Sequence, residues 1–310
     1  MNARHAPCTR GFVLVNALVL VAAMAAAALF LLSRSETGRA QLEAGQAAAQ
    51  LALYLDAFES LALTLIDADT AAPGAADHAG EAWARAGYDV TLDRGRVAGN
   101  LRDLQGLFNL NWLANTEDAE ARAAFDRMLS RQGLPPQVAA RVVAFMSPGG
   151  PANRAAYRTA PVPSDPVGGS VLMPEQLYRL PGLQPKHLVR LETLATALPG
   201  DSRLNVNTAA AEVLMAFLPG AGPAALDRLI QERRRKPFLS LDGFLSRATE
   251  ALGADVMADI DIDRFDVGSE WFEARIEAQL GSRVAARRTV LQRQTLPQGA
   301  RVAYRLSKWP

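Results

Sequence analysis

The sequence predicts an α+β fold: a long N-terminal helix packed on a small antiparallel sheet, with a large helical insertion between the strands. Three observations predict it. Residues 12–66 carry one unbroken helical signal, and period-two alternation appears at 87–111 and again from 263 to the end. Between those two alternating regions the chain keeps helical periodicity. Strands on both sides of a helical block are most simply joined as one sheet domain that carries an insertion.

The first element begins with an apolar run. From Phe12 to Leu32 only Asn16 is polar, and this length matches the about 20 residues that cross a ~30 Å hydrocarbon layer. A short leader, residues 1–11, precedes it with Arg4 and Arg10 and closes on Gly11. Local sequence leaves three readings open. One is a plain membrane anchor, and another is a cleaved secretory signal with a small-residue site at Ala25–Ala28. The third is a leader similar to that of type IV prepilins, cut between Gly11 and Phe12, with the apolar run retained. All three put positive charge before the run, so the N-terminus is expected in the cytoplasm and the bulk of the chain across the inner membrane, in the periplasm.

The helical signal continues past the lipid-length segment. Residues 33–66 lack proline and are rich in Ala, Leu, Gln and Glu. Leu51, Leu55, Phe58, Ala62 and Leu65 form one stripe, from which Gln50, Asp56, Glu59 and Ser60 fall away. Gly38 and Gly45 are weak points that would permit bending. The loop 69–80 ends the element.

Tyr88, Val90 and Leu92 alternate with Asp89, Thr91 and Asp93, predicting two strands joined around Asp93–Gly95. Helical periodicity resumes at Trp112. It is interrupted at 147–174, where ten glycines and prolines argue against any regular element. Segments 263–281, 286–294 and 301–309 read as strands. The organisation is therefore leader 1–11, helix 12–66 with 12–32 in the membrane, sheet domain 67–111 plus 262–310, and insertion 112–261. The insertion divides near residue 204.

Within the insertion a pattern repeats. A helix, Leu-Pro-Gly, two residues, a proline and a second helix occur from Glu175 and again from Glu212. This is helix-hairpin-helix patterning, and residues 205–245 resemble competence-type DNA-binding modules. In such modules the amides of the turn hold a phosphate, which would assign Gly220 and Gly222 as contacts and Arg233, Arg234, Arg235 and Lys236 as a supporting basic run. Compact packing is the alternative use of the same hairpin. Composition favours packing: formal net charge is +1, and losing residues 1–11 removes two arginines and no acid. A nearly neutral protein is not built to grip a polyanion, so nucleic acid is not the expected partner.

End to end, the chain resembles the K-type minor pseudopilins of the type II secretion system. The Gly11–Phe12 junction, "DLQGLFNLNWL" (103–113), "LNVNTAAAEVLMAF" (204–217) and "FDVGSEWFEARIEAQLG" (265–281) carry the resemblance in the right order. It implies a pilin-like helix and sheet, with an insertion of two sterile-alpha-motif-like units. It also implies cleavage between Gly11 and Phe12 by a prepilin peptidase, with N-methylation of Phe12. The implied partners are other minor pseudopilins in a tip complex, the major pseudopilin and the inner-membrane secretion platform. Pilin-type chains usually carry glutamate at the fifth mature position, where its charge neutralises a neighbour's terminal amine; here that position is Asn16. A subunit that leads the assembly has no earlier neighbour to neutralise. The other reading for Asn16 is a polar residue satisfied by a nearby carbonyl.

The family's aspartate-rich segment, associated with calcium, is missing: residues 142–158 contain no acid. A second acidic set, Asp259, Asp261, Asp263 and Glu270, has the spacing of a calcium loop, but Arg264 stands where that loop needs glycine. The plain reading is the wet face of a strand with Ile260 and Ile262 inward. No other cofactor is suggested. The single cysteine, Cys8, lies in the leader, so the mature chain has no disulfide framework. Beyond the leader only His78 and His187 remain, without a nucleophile motif or metal-ligand pair, and no catalysis is expected.

Overall fold

The computed structural model describes residues 10–70, 76–160, 162–295 and 297–308. Helix α1 (Arg10–Thr70) is one element of 61 residues, about 90 Å long. The apolar side chains from Leu14 to Leu32 are exposed along the whole segment. Further on, Leu51, Tyr54, Leu55, Phe58, Ala62 and Ile66 are buried. The stripe is the expected one, except that Leu65 is half-buried and Tyr54 and Ile66 join it. Gly38 and Gly45 do not interrupt the helix; no neighbouring atom lies within 4 Å of where a Cβ would stand.

Strands β1 (Tyr88–Leu92) and β2 (Gly95–Asp103) follow as a hairpin around Asp93 and Arg94. The chain then enters the helical part through β3 (Phe108–Asn109), α2 (Ala119–Arg131) and α3 (Pro136–Met146). The glycine- and proline-rich segment, expected to hold nothing regular, contains one turn, α4 (Ala155–Arg158). Tyr157 fixes it, being buried and stacked on Phe145 with ring centroids 6.4 Å apart. After it come α5 (Pro185–Leu194), β4 (Ala195–Thr196) and β5 (Leu204–Asn205). Helices α6 (Ala211–Phe217), α7 (Pro223–Arg235), α8 (Leu241–Leu252) and α9 (Ala254–Ala258) complete the part. β6 (Phe265–Asp266) leads back to the long strands β7 (Trp271–Leu280), β8 (Arg283–Gln292) and β9 (Arg301–Lys308).

The five long strands form one antiparallel sheet in the order β1-β2-β7-β8-β9. β2 and β7 are hydrogen-bonded neighbours from Arg96↔Gln279 to Asp103↔Phe272, so the helical part leaves and re-enters the sheet at one edge of the same ladder. Two cores result. One lies between α1 and the sheet, with Phe58, Trp83, Phe272 and Ile276 buried; the other fills the helical part around Phe108, Trp112, Phe125, Phe217, Phe244 and Phe265. In the second core, edge-to-face and stacked rings run from Trp112 through Phe108 and Phe217 to Phe265.

α1 approaches β2 closely because β2 has glycine under the helix. A Cβ on Gly99 would stand 2.6 Å from the Phe58 ring and 2.5 Å from the Arg275 carbonyl oxygen. Replacement of Gly99 by valine is expected to lower the unfolding free energy by about 1–3 kcal/mol through overpacking, read as a reduced urea midpoint at unchanged denaturant slope.

Glu59 departs from the sequence expectation. Its position falls off the buried stripe, yet it is only 4% exposed. Its carboxylate accepts from Thr289 Oγ1 at 2.8 Å and from Arg305 Nε at 2.9 Å, with Arg287 at 3.7 Å. Burial raises its pKa, but the bonds from Arg305 and Thr289 and the charge of Arg287 outweigh burial and hold it below the ordinary value of 4.5. Its stabilisation is present above that value and lost as pH falls below it. Glu59→Gln should therefore be less stable than the parent at neutral pH, and the difference should narrow in thermal melts below about pH 4.

Candidate functional site: anchoring helix, helical hairpin and polar junction

The cleavage junction inferred from sequence lies at the start of α1. Residues 1–9 and the side chains of Gly11 and Phe12 are outside the described residues. Asn16 stands exposed on the bare apolar half of the helix.

The helical hairpin is used for packing. Gly222 caps α7 with open space around it, but Gly220 is packed toward Val256, whose Cγ2 would lie 3.2 Å from an added Cβ. The supporting basic run does not stand beside these glycines; it is at the opposite end of α7, about 18 Å away. Arg233 is also committed inward, donating to the carbonyl oxygens of Val206 and Ala209, both at 2.6 Å. Burial lowers its pKa to about 10. The two copies of the repeat are not equivalent either, since Gly182 has φ +74° while Gly220 has no positive φ.

The acidic set at 259–263 is not a strand. Asp259 caps α9 and residues 262–264 form a 3-10 turn, so Ile262 is exposed rather than inward. Arg264 explains the local structure. It pairs with Asp118 at 2.5 Å, approaches Asp261 at 3.6 Å and lies 4.8 Å over the Trp112 ring. Asp259, Asp261 and Asp263 are not drawn together; among the described residues the converging acidic set is Asp69, Asp77 and Glu81, within 4.8 Å. His187 is a buried packing residue of α5.

Four buried asparagines, not singled out from sequence, hold the helical part to itself and to the sheet. Asn109 accepts from the Asn111 and Leu198 amides and donates to Pro199 O. Asn111 spans Val171 and Leu198. Asn207 closes on both backbone groups of Phe238 at 2.9 Å. Asn205 Nδ2 lies 3.0 Å from Asp103 Oδ2, 3.1 Å from Asp77 O and 2.9 Å from Ser269 Oγ. The signal was a repeated Asn-x-Asn, at 109–111 and 205–207. Each opens a unit on a two-residue parallel bridge, β3 with β4 and β5 with β6.

Asn205 belongs to a polar junction between the two parts. Asp103, at the end of β2, is buried and also accepts from Gln105 N at 2.7 Å, Ser269 Oγ at 2.6 Å and Thr208 Oγ1. Burial raises its pKa, opposed by those four donors. Arg293, just beyond β8, donates to both oxygens of Asp77 at 2.7 and 2.8 Å and to Asp69 at 2.7 Å. Burial pushes Asp77 up to about 7 against the pull of Arg293 and the Ser269 amide. Glu81 is raised by burial and by Asp69. A second tie crosses the sheet face, where Arg288 of β8 pairs with Glu175 of the helical part and approaches buried Glu273. Removing a side chain that satisfies buried backbone leaves those groups unpaired. Asn207→Ala should accordingly cost about 2 kcal/mol or more in urea unfolding, whereas Asn100→Ala on the surface should stay within about 0.5 kcal/mol.

Two models of type II secretion system protein K match the chain, over residues 106–200 and 204–263. Type II secretion system protein K of Pseudomonas aeruginosa is 31% identical over 241 residues, covering 70% of this chain and 67% of that protein. The chain belongs to the type II secretion system protein K family. The family member from Aeromonas hydrophila is 25% identical over 308 residues, covering 89% of this chain and 92% of the relative. Among solved structures, a chain from the GspK–GspI–GspJ complex of the enterotoxigenic Escherichia coli type 2 secretion system matches with a TM-score of 0.72. It is 22% identical, covering 87% of this chain and all of that one, and it supports the shared fold. Family membership makes the chain a minor pseudopilin of type II secretion, as the resemblance in its sequence implied. These matches do not support the reading as an anchored DNA-binding protein.

Proposed function

We propose that this protein is a non-enzymatic assembly subunit at the tip of the type II secretion pseudopilus. α1 anchors it in the inner membrane, the N-terminus is cytoplasmic, and the sheet and helical part are periplasmic. The observation that carries the reading is the division of α1 within one continuous helix. Its first part presents apolar side chains to its surroundings over a lipid-spanning length, and its last part is buried against the sheet. The bare part is the surface through which helices of other subunits and the membrane are engaged. Similarity to a chain solved with GspI and GspJ supports other minor pseudopilins as direct partners. The major pseudopilin and the secretion platform follow from the same reading. Asn16 fits a leading subunit, since a carboxylate there would lack a preceding amine to neutralise.

The test is the intact mass of the protein isolated from membranes of cells with and without an active prepilin peptidase. The expected product begins at Phe12, carries one added methyl group, and disappears when Gly11 is replaced or the peptidase is inactive. A chain that still begins at Met1 in peptidase-active cells would refute processing as a pseudopilin.

A further inference from the structure

The junction gathers more acid than base. Asp69 comes from the end of α1, Asp77 and Glu81 from the segment after it, and Asp103 from the end of β2. Among the described residues a single guanidinium, Arg293, stands among them. From the helical side the charged groups around the same cleft are Asp201, Arg203, Asp266 and Glu270, with Arg203 already 3.6 Å from Asp266. On the sheet side, Asp67 accepts from the Ala300 amide and His78 Nδ1 from the Gly80 amide. One cation cannot neutralise four clustered carboxyls, of which Asp77 and Asp103 are buried and Asp69 and Glu81 half-buried, and like charges in a shared site retain a proton.

The cluster also lies where the two parts are joined. Leu104 N–H donates to Trp271 O, Asp77 N–H to Val267 O and Asn205 N–H to Gln105 O, each at 2.9 Å. Ser269 N–H donates to Asp77 at 2.7 Å and Glu270 N–H to Gln105 Oε1 at 2.6 Å. The chain leaves the sheet at Asp103 and returns at Trp271, so opening this set frees the helical part from its seat.

We propose that the junction is a proton-tightened clasp: a proton held among these carboxyls keeps the helical part seated on the sheet, and its loss loosens the seat. The direction follows from burial. Asp77 is raised from 3.8 to about 7, chiefly by desolvation, and Glu81 and Asp103 are raised as well. When the junction opens, these groups regain water and ordinary acidity, so the closed form binds more protons. Its advantage is complete below the ordinary aspartate value and is lost as pH rises through about 7.

The experiment is amide hydrogen exchange on the full-length chain in detergent micelles between pH 6 and 8, corrected for intrinsic exchange. The reporters are the amides of Asp77, Leu104, Asn205, Ser269 and Glu270, with the β7–β8 ladder as internal reference. One proton lost at about pH 7 predicts about a tenfold rise in opening across this range, with the reference unchanged. The rise should be flattened in Asp77→Asn and reduced in Glu81→Gln, and it should persist in His78→Gln. Opening that is independent of pH in the parent chain overturns the proposal. So does an unchanged rise in whichever of Asp77→Asn and Glu81→Gln folds, or its disappearance in His78→Gln.

Discussion

The ladder between β2 and β7 is the constraint on which the rest of the structure depends. Neighbouring strands lie about 4.8 Å apart, so the chain must leave the sheet after Asp103 and come back beside it at Trp271. The whole helical part is folded between those two points. The entropy of closing such an excursion grows only slowly with its length, so a large insertion can be carried by a small sheet. The steeper requirement is local. Backbone where the two parts meet is cut off from water and needs partners, and Asn205, Gln105, Asp77 and Ser269 supply them. The polar junction is thus a product of topology.

Much of this was legible in the sequence. The 3.6-residue stripe on α1, the apolar run before it and the alternation at 274–279 have the periods their structures require, whereas on β1 Tyr88 and Leu92 turn to the core and Val90 between them stays exposed. The misread positions share a cause. Pattern reasoning assigns polar residues to the surface, whereas Glu59 is buried because Thr289 and Arg305, more than two hundred residues away, supply its hydrogen bonds. The junction carboxyls Asp77 and Asp103 were missed for the same reason. β3 to β6 are two residues each, too short for any period. Residues 259–263 alternate as a strand would, yet Asp259 caps α9 and a 3-10 turn forms at 262–264, where Arg264 is drawn onto Asp118 and Trp112.

Arginine is the residue whose role the linear sequence conveys least. Arg233 sits in a basic run and spends its donors on two internal carbonyls; Arg264 stacks on Trp112; Arg293 covers Phe272 at 4.8 Å while gathering acids. Each uses the planar fork that distinguishes arginine from lysine, with donors directed in the plane and an apolar face free to stack. A basic cluster counted along the chain therefore overstates the charge that reaches the surface. This matters for the hairpin, whose phosphate-binding appearance rested partly on such a count.

The long helix has a geometric consequence for where the folded part sits. Apolar character ends at Leu32, and the first residue buried against the sheet is Leu51. Residues 33–50 remain as uninterrupted helix without a buried residue, about 27 Å long. With lipid reaching Leu32, this stalk holds the sheet domain clear of the bilayer by roughly the width of a small protein. Because the rod is continuous from lipid to sheet, an axial push at the membrane arrives at the domain as displacement of the domain itself, with little taken up by bending.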